Sequence, residues 1–595
     1  MVNQMKKKNA LPHELYTRWG ASVNKSCPLS DYPRPQMRRD HWLCLNGIWQ
    51  YAIRDAGQSE PERFDGDIVV PFSPESLLSG VKRQLLPGQT LWYKRQVQLE
   101  KQQGYRLLLH FGAVDQHCTV YCNGTLASSH DGGYWPFSVD ITDLIQNGEN
   151  IITAAVRDDS DTGDEAYGKQ QLNRGGIWYT AQSGIWQTVW MEQVPWQYIE
   201  NIHITPDCRH AKVQLHIDFA DDAQIPPYRI QIFGDGKLVS EGSFQDAAAN
   251  LPMKDFRYWS PDDPYLYTIR IIAGQDTVDS YFGMREFTAR RGDDGQTRFA
   301  LNGKPIFQSG LLDQGYWSDG LYTPPSDEAM IWEIRQLKKL GFNMLRKHIK
   351  IEPLRWYYHC DRLGMLVWQD FVSGGGPYKN YVTQYLPFAN IRLSDKRYSL
   401  FGRRSEAGRA VFERDMARTV QLLQNTVSLA VWVPFNEGWG QFDAIRLCQA
   451  LRKMDPTRLI DHASGWHDQG GGDFISRHIY YKKYRLRRDK THRIHILSEF
   501  GGYSCPSKGH MSSDVLFGYR MYKNADELTA AYEKLYRKEV LSAVKKGLSA
   551  SVYTQVSDVE DEINGIFTYD RAVIKLNEET VRRMNDQLTK CPLLG

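Results

Sequence analysis

The sequence predicts a multidomain chain: a jelly-roll β-sandwich, then an immunoglobulin-like β-sandwich, then a C-terminal (β/α)8 TIM barrel. Three observations predict it. Short alternating runs divided by turn residues fill His41 to about Pro195, and a smaller set of the same kind fills Trp196 to about Arg290. After Pro305 the pattern changes to apolar runs separated by amphipathic segments, the grammar of a parallel barrel.

Residues 1–40 are rich in Pro and Arg, show no periodicity, and are expected to form an extended strap. From 41 to 195, runs such as LNGIWQYAI, TLWYKRQVQL, YRLLLHFGAV and CTVYCNGTLA have strand length, and Asn46-Gly47, Asn123-Gly124 and Asn147-Gly148 sit where two-residue hairpin turns belong. Antiparallel strands of this length and spacing suit a jelly roll. Inside this region, Asp158 to Ile185 is too long and polar for a hairpin turn, and loops of that length tend to carry a function. Residues 196–290, just under a hundred residues with strands such as KVQLHIDFA and LYTIRIIAG, have the size and spacing of an immunoglobulin-like sandwich.

Phe299 to Pro305 (FALNGKP) reads as a hairpin entering the third part, residues 291–595. There, apolar runs at 306–312, 343–349, 365–371, 428–435, 458–463, 474–480, 494–500 and 547–556 supply eight strands. The helix SDEAMIWEIRQLKKL is predicted between Ser326 as its cap and Gly341 as its stop.

Composition narrows the function. With 595 residues, 41% of them hydrophobic, the chain can bury several cores. A formal charge of +3 gives no general attraction for nucleic acid or an anionic membrane, and the basic runs Lys6 to Lys8 and Lys482 to Arg488 read as solvated loops. Nine cysteines without paired spacing argue against a disulfide framework; Cys118 and Cys122 share strand parity and should be small core residues. Metal-ligand spacing is missing, so neither metal nor cofactor is expected. The basic start lacks an apolar stretch, which points to a cytoplasmic protein, with a removed leader leaving no trace. The 17 tryptophans and 33 tyrosines are an excess whose faces can stack on sugar rings, while burial in the sandwich cores accounts for most of them. A glycoside or oligosaccharide is the expected partner, with homo-oligomerisation open.

The stretch SLAVWVPFNEGWG, Ser428 to Gly440, concentrates the chemistry. A strand buried on both faces ends at Asn436-Glu437-Gly438, delivering a carboxyl group to the barrel mouth. The run IHILSEF repeats the device with Glu499 followed by Gly501. Two carboxyl groups about 5 to 5.5 Å apart are what a retaining glycosidase needs, one as acid and one as nucleophile. Glu437, near Trp432, Phe435 and Trp439, fits the acid, because desolvation keeps it protonated. Glu499 fits the nucleophile, with Arg346 as its cation and Tyr480 as a hydrogen-bond donor. His348 shares a strand face with Arg346, and His478 precedes Tyr480 on the sixth run. Asn436 suits a sugar 2-hydroxyl, while Asp313, Asp370, His462 and Gln555 end other strands and are candidate hydroxyl readers. Trp317, Trp439 and Trp466 are candidate platforms for the ring. A serine or cysteine hydrolase is disfavoured, since Ser309, Ser464 and Cys505 lack a Gly-x-Ser-x-Gly elbow.

These residues resemble glycoside hydrolase family 2, which holds β-galactosidases, β-glucuronidases and β-mannosidases. The likeness covers about residues 41–595. Asn436-Glu437 resembles the family's acid/base pair and Glu499 in SEFGG its nucleophile. Arg346 and His348 are similar to its second-strand Arg and His pattern, with only Lys347 between them. The resemblance implies cleavage with net retention. This chain departs from it at Leu312-Asp313-Gln314-Gly315, at Tyr553-Thr554-Gln555, and in having no Asn-x-Lys after Glu499, which disfavours a glucuronidase. The expected activity is that of a β-galactosidase-like exo-glycosidase. An α-L-arabinofuranosidase, another glycosidase of the family, or a catalytically silent carbohydrate-binding homologue are the alternatives, and both glutamates being present argues against the last.

Overall fold

The computed structural model describes residues 12–221, 223–389, 391–486 and 491–591. Residues 12–40 follow an irregular path with a 3-10 turn at Gly20–Ser22. Charge fixes that path: Arg39 pairs with Glu192 in the first sandwich and Asp276 in the second, both at 2.9 Å. Lys6 to Lys8 lie outside the described residues, as do Arg487 and Arg488. Lys482, Lys483 and Arg485 are exposed, as a solvated loop requires. No helix among the described residues is long and apolar enough to cross a membrane.

The jelly roll packs a six-stranded sheet against a four-stranded one. Strict alternation on His117–Cys122 turns Cys118, Val120 and Cys122 into the core, and all nine cysteines are free thiols. Asn123-Gly124 closes a true hairpin with φ of +51° and +76°, the left-handed pair a type I′ turn demands. The other two Asn-Gly pairs do not form hairpins, because at each the chain changes sheets. Trp42–Cys44 pairs with Val189–Pro195 in the smaller sheet, whereas Gly47–Asp55 pairs in the larger. Asn46 serves that crossing, donating to Pro28 O at 2.9 Å and accepting from Val189 N at 3.0 Å. Likewise Phe137–Asp140 and Gly148–Arg157, on either side of Asn147, belong to different sheets.

The immunoglobulin-like part has a three-stranded and a four-stranded sheet over an aliphatic core of Ile202, Ile217, Ile230, Ile232, Ile269 and Ile271. It meets the barrel at Asp361, which accepts from Tyr281 Oη at 2.9 Å and from Ser428 N, just before the fourth barrel strand, at 2.7 Å.

All eight predicted barrel strands form: β1 (Gln308–Asp313), β2 (Met344–Lys347), β3 (Leu366–Asp370), β4 (Leu429–Val433), β5 (Leu459–Ile460), β6 (Phe474–Ile479), β7 (Ile494–Gly501) and β8 (Leu548–Thr554). Their parallel ladder runs in the order β5-β4-β3-β2-β1-β8-β7-β6, leaving a seam between β5 and β6. β4 and β7 are buried at every residue, as strands covered on both faces must be. The predicted helix α1 (Asp327–Lys339) is capped by the Ser326 hydroxyl, which accepts from Ala329 N at 3.2 Å, and ends where Gly341 takes φ +87°.

Candidate active site

Glu437 and Glu499 reach the same mouth, at the C-terminal ends of β4 and β7. One oxygen from each and a ring nitrogen of His478 all lie within 4.8 Å of one another. Glu437 has a left-handed backbone, φ +51°, held by its N–H donating to Ser464 O at 3.0 Å. Strain of this kind on a non-glycine residue costs on the order of 1 kcal/mol and persists only where surrounding structure enforces it. Gly501 follows Glu499 with φ +85°, and a Cβ there would meet the Tyr553 ring at 2.3 Å.

Arg346, at the end of β2, is the hub. Its Nε donates to Asp370 Oδ1 at 2.9 Å, Nη1 to Glu499 Oε1 at 3.1 Å, and Nη2 to Asn436 Oδ1 at 2.9 Å. The planar guanidinium thus orients three side chains from three separate nitrogens in fixed directions, a spread that a single ammonium nitrogen does not reproduce. His348 Nδ1 lies 2.6 Å from the other Asp370 oxygen. Tyr480 donates its hydroxyl to Glu499 Oε2, and Tyr519 stacks on the Tyr480 ring at 3.9 Å.

His478 Nδ1 lies 2.8 Å from Glu437 Oε1 and 3.5 Å from Glu499 Oε2. Its Nε2 faces Arg346 Nη1 at 3.5 Å. A guanidinium has no lone pair to offer, so Nε2 is the acceptor and the ring proton sits on Nδ1, facing the carboxyls. Burial lowers the imidazole to about 4, so it is neutral at physiological pH. Burial also pushes the Glu437 carboxyl up to about 7. Glu499 is raised by burial too, and His478, Arg346 and the Tyr480 hydroxyl oppose that rise. Among the described residues Glu437 has no comparable donor in contact beyond His478, so of the two it is the better holder of a proton.

The structure brings Asn436, Arg346, His348, Asp370, His478 and Tyr480 to the pair, and Trp466 to its edge, 6.1 Å from the His478 ring. Among the described residues, Asn436 Nδ2 is a buried donor without a hydrogen-bond partner, and the Gln555 amide turns toward the Tyr179 hydroxyl. Gln555 accepts from Gln314 Nε2 at 2.7 Å. Asp313 and His462 are not brought to the pair. Asp313 is occupied by Lys347 Nζ at 2.7 Å and its own Gly315 N–H, on the barrel's outer side, where Lys347 also lies over the Trp356 ring. His462 turns to Asp468 at 3.2 Å. Trp317 packs against Trp19 and Arg571. Trp432 and Phe435 do not cover Glu437: Trp432 donates to Asp455 at the end of a helix, and Phe435 packs on Phe412 and Phe442. Strand alternation sends Trp432 outward, and of the three aromatics only Trp439 remains above the mouth, against Trp178 and Tyr378.

Four participants went unpredicted: Lys169, Trp178, Tyr179 and Glu562. The first three ride on the 158–185 loop. Tyr167 and Gly168 donate to Ser373 O at 3.0 and 2.9 Å, fastening the loop beside β3. Arg174 pairs with Asp561 at 2.9 Å, and the Tyr179 hydroxyl donates to Glu562 at 2.5 Å, fastening it beside β8. The loop's length was the available signal; Glu562 lies beyond a strand end and offered none.

A sandwich, a second sandwich and a barrel with two facing carboxyls at its mouth is the build of an O-glycosyl hydrolase. Models for the Glycosyl hydrolases family 2 sugar binding domain, for Glycosyl hydrolases family 2, and for its TIM barrel domain match residues 83–195, 197–285 and 295–582. The chain belongs to glycosyl hydrolases family 2. A β-glucuronidase of Streptococcus agalactiae is 25% identical over 419 residues, 66% of this chain and 66% of that protein. A β-galactosidase of Thermoanaerobacter pseudethanolicus is 25% identical over 307 residues, 47% of this chain and 39% of that one. The chain thus spans from about a third to two thirds of the length of the curated relatives it matches. The solved β-D-glucuronidase of Dictyoglomus thermophilum shares the fold with a TM-score of 0.72 at 17% identity, covering 94% of this chain and 99% of that one.

Proposed function

We propose that this protein is a retaining exo-glycosidase acting on terminal β-glycosides. The observation that carries the reading is the separation of the two carboxyls: with one oxygen of each within 4.8 Å, no room is left for a water between the second carboxylate and the anomeric carbon, whereas inverting enzymes hold the groups about 6.5 to 9.5 Å apart. In the first step a Glu499 oxygen bonds to the anomeric carbon as the bond to the leaving oxygen breaks, and Glu437 gives that oxygen its proton. In the second, water attacks the same carbon, its proton passes to Glu437, and the glycosyl ester to Glu499 breaks. Arg346 and Tyr480 hold Glu499 in line. The free Asn436 Nδ2 is placed to donate to the sugar's 2-hydroxyl, a bond that tightens in the transition state.

For the sugar, a β-D-galactoside is the first substrate to try, from the sequence resemblance, and a β-D-glucuronide the second, since relatives and structural neighbours carry that name. Proton NMR of the first sugar released from an aryl β-glycoside tests the mechanism. The β-anomer should appear first; initial release of the α-anomer would refute the double displacement.

A further inference from the structure

Lys169 is 5% exposed, yet among the described residues its ammonium has neither an ion-pair partner nor a hydrogen-bond acceptor. It comes from the jelly-roll part, not the barrel. Its Nζ lies 4.7 Å from the centre of the Trp439 ring and 5.7 Å from that of Trp178. The nearby carboxyls Glu562, Glu499 and Glu437 offset the lowering that burial imposes on it. Each has its own bonds: Glu562 with Tyr179 and Asn564, Glu499 with Arg346 and Tyr480, Glu437 with His478.

A lysine ammonium carries three donors and no acceptor, and in this pocket only water or a ligand entering the mouth can meet them. Aromatic faces compensate in part. The loop nonetheless spends considerable structure on holding this one there: the Lys169 carbonyl accepts from Tyr179 N at 3.0 Å, and the next residue, Gln170, donates to Asp115 and Tyr134, both at 3.0 Å. A further donor without a partner among the described residues, Asn436 Nδ2, belongs to the same mouth. Donors in this state suit a ligand covered in acceptor oxygens.

We propose that Lys169 is a substrate-binding residue: carried into the barrel mouth by the 158–185 loop, its ammonium takes an acceptor oxygen of the sugar ring's substituents, making the jelly-roll part a wall of the specificity pocket. This rests on the glycosidase reading above. The acceptor is a hydroxyl or a carboxylate, and a carboxylate gains more because the bond is then charge-assisted. In this chain, which lacks Asn-x-Lys after Glu499, Lys169 supplies a cation from another domain.

The test is steady-state kinetics of Lys169→Met and Lys169→Arg on 4-nitrophenyl β-D-galactoside and β-D-glucuronide, with Lys169→Gln in reserve should the Met variant fold poorly. The expected result is a KM raised about tenfold or more with kcat within about threefold, partly restored by Arg. A larger rise for the glucuronide identifies a carboxylate partner, and equal rises identify a hydroxyl. An unchanged KM, with only kcat or the alkaline limb of the pH profile displaced, overturns the proposal and makes Lys169 a tuner of Glu437. If the unmodified protein cleaves neither glycoside, the glycosidase reading fails for these sugars, and calorimetric titration with galactose and glucuronate decides Lys169 separately. Binding lost in Lys169→Met supports the proposal; equal binding, or none to the unmodified protein, overturns it.

Discussion

His478 Nδ1 lies 2.8 Å from Glu437 Oε1, so the hydrogen-bonding edge of a neutral imidazole faces the carboxyl group that burial keeps protonated. With Arg346 on one glutamate and an uncharged ring on the other, the two groups are electrostatically unlike although they share one mouth. Different environments for paired carboxyls are how one site holds both an acid and a nucleophile.

That difference predicts how the two glutamine variants diverge. Glu499→Gln should lose turnover on every glycoside by about a thousandfold or more, because in the proposed mechanism its carboxylate forms the covalent bond. Glu437→Gln should lose about a hundredfold or more on alkyl glycosides while keeping most of the first-step rate on a 2,4-dinitrophenyl glycoside, whose leaving group needs no proton. Burst kinetics on both substrate types make the comparison. Equal collapse of both variants on the dinitrophenyl substrate would remove Glu437 from the acid role.

The pH profile should follow. As the acid of the proposed mechanism Glu437 acts protonated, and burial moves it from an ordinary 4.5 to about 7, so kcat/KM on an alkyl glycoside should fall as pH rises through about 7. The same shift acts on stability. Between pH 4.5 and about 7 the folded state binds a proton that the unfolded state has released, so stability declines as pH rises, by on the order of 3 kcal/mol across that window. Glu437→Gln removes the titrating group. Its melting temperature, relative to the parent, should rise between pH 5 and pH 8, and a constant difference would show that Glu437 is not held protonated.

How much of this was legible in the sequence follows from where each signal lies. Glu437 and Glu499 were readable because each stands where an apolar run stops at glycine, a local feature that survives without coordinates. Arg346 and Tyr480 followed from strand parity. Asp313 misled for the same reason: it ends β1, but its side chain leaves the barrel interior to meet Lys347. Trp432 and Phe435 were read as neighbours of Glu437 in sequence, and the helix layer claimed them in space. Lys169 was beyond reach, since its place in the mouth depends on one domain's loop docking on another's barrel, and no periodicity encodes that. The Asn-Gly pairs show the same limit, because a turn motif specifies a local bend and says nothing about which sheet the next strand joins.

Arg346 offers a test of the hub. Removing its side chain as Arg346→Met leaves Glu499 and Asp370 buried without their cation, and breaking a buried pair of this kind costs about 3 to 5 kcal/mol. Without it the Glu499 carboxyl should hold its proton to higher pH, moving the acid limb of kcat/KM upward. Arg346→Lys should not restore activity, because the three acceptors are spaced to be reached from three separate guanidinium nitrogens and a single ammonium nitrogen cannot span them. Denaturant melts and pH profiles of both variants check this; a fully active Lys variant would show that only the charge matters.

The same geometry that suits a sugar also suits a metal ion as an inhibitor. A neutral imidazole and two carboxylate oxygens within 4.8 Å of one another form a three-ligand set of the kind zinc accepts, with a fourth position left for water. Binding there requires the proton on Glu437 to leave and the His478 ring proton to move from Nδ1 to Nε2, where the Ser464 hydroxyl 3.2 Å away can accept it, so inhibition should strengthen as pH rises past about 7. Zinc at about 0.1 mM should therefore inhibit competitively with substrate, and Glu437→Gln should bind it less tightly, since an amide is the poorer ligand. Chelation with EDTA should restore an inhibited sample and leave an untreated one unchanged. Initial rates against zinc concentration at pH 6 and pH 8 decide the matter: inhibition that is noncompetitive, or equal at the two pH values, would mean the ion sits elsewhere and that the pair does not titrate as its burial dictates.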